Sequence, residues 1–87
     1  MHEMSVLKNL MNKIESLAQE QRARRVVTLS LRLGALTHFT QEHFQEHFEI
    51  VSRGTVAEGA RLDLTLMTDA THSEAQGVVL ESVEFET

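Results

Sequence analysis

Two kinds of apolar spacing stand back to back near the start of this chain, and few small folds accept them in that order. From Ser5 to about Gln21 the apolar side chains Val6, Leu7, Leu10, Met11, Ile14, Leu17 and Ala18 recur every three or four positions. Lys8, Asn12, Lys13, Glu15 and Gln19 fall between them, so the stretch predicts an amphipathic helix with one dry face. Ser5 is a candidate N-cap, although Lys8 stands where a capping-box acid would. A charged connector, Glu20 to Arg25, follows. From Val26 to Leu33 the period then drops to two: Val27, Leu29, Leu31 and Leu33 alternate with Thr28, Ser30 and Arg32. That pattern predicts a strand covered on one face. A one-faced helix and a one-faced strand each bury their apolar side most simply against the other.

The rest of the chain repeats the same vocabulary. Gly34 ends the strand, Ala35 to Phe39 is a short connection, and Thr40 offers an N-cap. The second helix carries Phe44, Phe48 and Val51 on one face, runs to about Arg53 and stops at Gly54. Thr55 to Arg61 reads as a loop. Leu62, Leu64 and Leu66 alternate with Asp63, Thr65 and Met67 in a second strand, and the polar stretch from Thr68 to Gly77 reads as a loop. The last strand, Val78 to Glu86, sets Val79, Val83 and Phe85 against Ser82, Glu84 and Glu86, but Leu80 and Glu81 spoil the alternation. A bulge or a change of face is expected there. The fold class is therefore α+β: two helices packed on one face of a small three-stranded sheet, in the order helix-strand-helix-strand-strand. Residues 1–87 read as a single domain.

Composition narrows the function. The 87 residues carry a net charge of −5, which argues against nucleic acid or an anionic membrane as partner. With no cysteine, the chain has no disulfide, no thiolate metal site and no cysteine nucleophile. Lys8, Asn9, Asn12 and Lys13 interrupt any secretory apolar region, and no run approaches the length of a membrane span, so the expected location is cytoplasmic. A Gly-rich phosphate loop and a Gly-x-Ser-x-Gly elbow are both missing, and the chain reads as a non-enzyme.

Three groups of residues could hold a metal. In Met1-His2-Glu3, the α-amine of Met1 and the amide and imidazole nitrogens of His2 can close successive chelate rings on one ion. Three nearly coplanar nitrogens suit Ni(II) or Cu(II), and Glu3 adds an amide nitrogen and a carboxylate. The plain alternative is a start codon followed by two arbitrary polar residues. Gln-Glu-His-Phe occurs twice in tandem, at residues 41–44 and 45–48, which places His43 and His47 on neighbouring turns of one helix face. The two imidazoles can share an ion, with Glu42 or Glu46 completing it, or they simply flank the Phe44–Phe48 stripe as boundary residues. His72, with Asp69 and Glu74 nearby, reads as a solvated loop residue capable of weak adventitious binding.

Several segments, in order, resemble one known family. Met1-His2-Glu3-Met4-Ser5, Leu31-Arg32-Leu33-Gly34-Ala35-Leu36 and Phe48-Glu49-Ile50-Val51 come first. Arg53-Gly54-Thr55, Ala57-Glu58-Gly59-Ala60-Arg61-Leu62 and the tail Leu80-Glu81-Ser82-Val83-Glu84-Phe85 follow. Together they resemble the HypA/HybF family of hydrogenase nickel-incorporation accessory proteins, from the first residue to about Met67 and again at the last strand. The resemblance implies a nickel-binding lobe in which Met-His-Glu binds Ni(II), here Met1, His2 and Glu3, with the His2 imidazole as principal ligand. It also implies delivery of that ion, with a maturation GTPase, to the nickel–iron hydrogenase large-subunit precursor or to urease.

Two departures accompany the resemblance. Family members insert a zinc ribbon with paired Cys-x-x-Cys motifs before the last strand, whereas here that place holds only a loop at about 67–77, so no structural zinc is expected. The chain thus reads as a form reduced to the nickel-binding lobe. Many relatives also have a carboxylate shortly after the first strand; here Thr40, a poor ligand, stands nearest, with Glu42 two residues on. A competing function is a docking or regulatory module of the same machinery that carries no metal. The outer strands leave an edge at which a second copy could pair, so a homo-oligomer stays open.

Overall fold

The computed structural model describes residues 3–34, 40–69, 71 and 77–87. Within them the chain forms α1 (Glu3–Gln21), β1 (Arg25–Leu33), α2 (Gln41–Ser52), β2 (Arg61–Leu66) and β3 (Val78–Glu86). The sheet order is β2-β1-β3, with β1 parallel to β2 and antiparallel to β3. A parallel pair needs a crossover, and α2 supplies it. The α+β class and the element order match those expected from the sequence.

Both helices cover one face of the sheet. Leu7, Leu10, Met11 and Ile14 of α1 and Phe44 and Phe48 of α2 form one buried cluster with Val26, Leu29, Leu31 and Leu33 of β1. Leu7, Ile14 and Phe44 are fully buried. Each such side chain contributes roughly 1.5–3 kcal/mol through its removal from water. The opposite face of the sheet is polar, with Arg32, Arg61, Asp63, Thr65 and Glu84 exposed.

α1 begins at Glu3, two residues before the expected start, so Ser5 lies inside the helix and is not its cap. Met4 in the first turn is exposed and the buried stripe begins only at Val6, which is why periodicity places the start too late. At the other end Arg22 adopts φ 51°, its N–H bonds the Gln19 carbonyl at 3.1 Å, and the Ala23 N–H reaches back to the Ala18 carbonyl at 2.9 Å. These two bonds are a Schellman ending built on an arginine where glycine is the usual choice.

β1 differs from the simple alternation at one point. Val26 lies opposite Phe85 and Thr28 opposite Glu84, so Val27 is an extra residue that shifts the register. The bulge turns Val26 into the core, with only 1% of its surface exposed, while Val27 is half-buried. The Val26 N–H bonds the Val56 carbonyl at 2.9 Å, outside the ladder. Alternation alone predicts Val27 inside. The bulge reverses that pair.

The spoiled alternation of β3 has the same cause. Ser30 lies opposite Ser82 and Leu31 opposite Leu80, leaving Glu81 as the extra residue. Val78 and Leu80 pack on the core before the bulge, and Val83 and Phe85 after it. The expected bulge is present, and Val79 belongs to the outer face.

α2 starts where the sequence predicts. Thr40 is extended, with φ −88° and ψ 155°, and its side chain accepts from the His43 N–H at 3.1 Å. Arg53 is the C-cap and Gly54 follows at φ 75°, a left-handed conformation that glycine adopts without strain. Ser52 is buried, and its hydroxyl donates to the Glu49 carbonyl at 3.3 Å.

Candidate metal centre

The ends of the elements decide which donors can meet. α1 runs back along the sheet before β1 begins, so the start of α1 and the end of β1 share one end of the fold. Val6, Asn9, Leu10 and Lys13 of α1 line a shallow cavity of about 240 Å³ with Gly77, Val78 and Leu80. The Gly34 N–H bonds the Gly77 carbonyl at 2.8 Å, and the Met67 N–H bonds the Leu33 carbonyl at 2.8 Å. The amide Nε2 of Gln41, in the first turn of α2, donates to the Leu64 carbonyl at 3.3 Å. The starts of both helices, the end of β2 and the start of β3 therefore lie at that same end. Gln41 is a tie that sequence reading missed, because no pattern announces a single side chain reaching a strand carbonyl.

Of the Met1-His2-Glu3 set, Met1 and His2 lie outside the described residues, and Glu3 is the first residue of α1. The amides of a helix's first turn have no acceptor inside the helix, so the Glu3 amide nitrogen is not committed to intrahelical bonding. A bare dication at a helix N-terminus works against the macrodipole. Loss of an amide proton, or a nearby carboxylate, offsets that repulsion. His72 and Glu74 also lie outside the described residues.

Thr40, which stands nearest to the carboxylate position of many relatives, has a structural occupation as the cap of α2. To bind an ion through its hydroxyl it would have to compete with the His43 amide. His43 is exposed and His47 half-buried, each one position before a buried phenylalanine. Their rings are stacked, with centroids 6.4 Å apart and planes 16° from parallel. Among the described residues, no group of three or more His, Asp or Glu side chains is arranged to hold an ion.

A three-stranded mixed sheet roofed by two helices, with helix starts and strand ends gathered at one end, defines a small α+β lobe. The sequence profile of the family described as hydrogenase/urease nickel incorporation, metallochaperone, HypA matches residues 1–84. The hydrogenase maturation factor HypA of Methylocella silvestris is 42% identical over 67 residues, which cover 77% of this chain and 59% of that protein. The HypA of Archaeoglobus fulgidus is 35% identical over 66 residues, covering 76% of this chain and 60% of that protein. The solution structure of the Ni metallochaperone HypA from Helicobacter pylori superimposes with a TM-score of 0.81 at 19% identity, covering 99% of this chain and 98% of that one. At that identity the likeness concerns the fold.

The chain belongs to the HypA family of hydrogenase/urease nickel-incorporation metallochaperones. That family consists of maturation factors and not of enzymes. The match spans about three-fifths of the length of the curated relatives, 59% and 60% in the two cases above. No helix among the described residues is long and apolar enough to cross a membrane.

Proposed function

We propose that this chain carries Ni(II) on its N-terminal Met1-His2-Glu3 and helps deliver it to nickel–iron hydrogenase, or to urease, during maturation. The observation that carries the reading is the family match, which begins at residue 1 and so includes the three donor residues. The His2 imidazole is the principal ligand. The amine of Met1, where it is the free end of the chain, and the amides of His2 and Glu3 complete a nitrogen-rich set suited to tetragonal Ni(II). Glu3 adds a carboxylate to the donor set, whose negative charge partly neutralises the ion.

The lobe hands its ion to a maturation GTPase and the hydrogenase large-subunit precursor, and works in the cytoplasm. The segment at about 67–77 stands in place of the zinc ribbon, so the nickel lobe acts as one domain without structural zinc. Nickel is cargo in this scheme, held by few protein ligands and released by exchange.

The test is a binding assay against the maturation GTPase, with wild type and His2→Ala, each with and without Ni(II). Nickel-dependent transfer lost in His2→Ala, with docking retained, supports the carrier reading. Equal behaviour of both proteins, with no nickel effect, favours the docking module.

A further inference from the structure

We infer that His43 and His47 form a second metal site on α2, one that takes a borderline divalent transition ion through two imidazoles. The pair is held by a rigid frame. Thr40 caps the helix through its side chain at 3.1 Å from the His43 nitrogen, and its carbonyl accepts from the Phe44 N–H at 3.0 Å. Phe44 and Phe48, at 0% and 2% exposure, anchor both turns in the core, so the histidine that precedes each is carried at a fixed height and angle.

The i, i+4 spacing brings the two rings within reach of one ion. A metal–nitrogen bond of about 2.1 Å plus a ring radius of about 1.1 Å sets an imidazole centroid roughly 3.2 Å from its ion. Two rings on one ion then lie no more than about 6.4 Å apart, the limit for a linear arrangement. The observed centroids stand at 6.4 Å, but the rings are stacked, with planes 16° from parallel, so their in-plane nitrogens do not converge on one point. Binding one ion therefore requires the rings to turn so that a nitrogen of each points at it, and to close by about 1 Å toward the bent angle of a tetrahedral or tetragonal site. His43 is exposed, His47 is half-buried, and neither belongs to the buried cluster, so the rings turn without moving the core.

Charge and ligand number define the class of ion. Glu42 and Glu46 stand beside the histidines in a chain of net charge −5, a field that attracts a dication. No third His, Asp or Glu completes a cluster among the described residues. Water therefore fills the remaining positions, and the ion exchanges readily. Imidazole donors select Cu(II), Ni(II) and Zn(II) over Mg(II) or Ca(II), with Cu(II) tightest. The site lies at the same end of the fold as the start of α1, but it does not depend on the reading given to Met1-His2-Glu3.

The test uses untagged full chain in a His2→Ala background, titrated with Ni(II) and with Cu(II), beside the same protein carrying His43→Gln and His47→Gln. Glutamine keeps the volume and helix propensity of the site while removing its imidazoles. The inference predicts one micromolar-range site in His2→Ala, weakened at least ten-fold by the double replacement, with circular dichroism unchanged. Electron paramagnetic resonance of the Cu(II) form then shows two imidazole nitrogens only when His43 and His47 are present. Binding only at millimolar concentration, or equal binding in both proteins, overturns it. A separate titration with His2 intact and both glutamines present reports on the N-terminal site alone, so failure of one reading is distinct from failure of the other.

Discussion

Leu31 stands opposite Leu80 while its neighbour Ser30 stands opposite Ser82, so the antiparallel ladder steps over Glu81. That step is what lets Val78 and Leu80 share the core with Val83 and Phe85 although their spacing breaks the period of two. Deleting Glu81 restores a regular alternation with the same side chains inside. The deletion removes the exposed contact with Arg32 at 3.9 Å, which is worth little. The deletion is expected to change stability by less than about 1 kcal/mol. Deleting Glu84 instead turns Phe85 outward and is expected to cost about 2 kcal/mol or more. Urea denaturation of the two deletion variants measures the difference.

The ending of α1 stores a small backbone penalty at Arg22, whose φ of 51° suits glycine better. Arg22→Gly is expected to stabilise the fold by roughly 0.5–1 kcal/mol, because the left-handed conformation then costs nothing in side-chain contact. For a domain of this size that corresponds to a rise of several degrees in Tm. Thermal unfolding followed by circular dichroism checks it.

Thr40 caps α2 through its side chain. Thr40→Ala should lower stability by about 1 kcal/mol through loss of the bond to the His43 amide. It should leave Ni(II) affinity at Met1-His2-Glu3 unchanged. A fall in nickel affinity larger than about three-fold would assign Thr40 to the metal site after all.

Nickel held by amine, amide and imidazole nitrogens must displace protons from them. Affinity is therefore expected to fall steadily from about pH 8 to about pH 5, as protons outcompete the ion. Calorimetry in two buffers of different ionisation enthalpy counts the protons released. A flat affinity across that range would point to carboxylate ligation.

Much of the fold was readable because each element has one dry face, and period alone separates a helix such as α1 from a strand such as β1. The errors have local causes. Val26 and Val27 are chemically alike, and only the bulge opposite Phe85 and Glu84 decides which one is buried. Met4 in the first turn of α1 is exposed, so the buried stripe that begins at Val6 does not mark the start at Glu3. The candidate site was readable only as donor chemistry. Met1 and His2 belong to no repeating pattern, and the gathering of helix starts and strand ends appears only once the crossover through α2 is drawn. The tie from Gln41 to Leu64 has no sequence signal at all.

The most direct measurement is Ni(II) titration calorimetry on protein with a native, untagged Met1, beside His2→Ala and a variant with Gly-Ser added before Met1. The N-terminal chelate predicts a site of micromolar or tighter affinity that disappears in both variants, because one loses the imidazole and the other turns the amine into a peptide nitrogen. Identical binding by all three proteins would contradict it and move the nickel elsewhere in the chain.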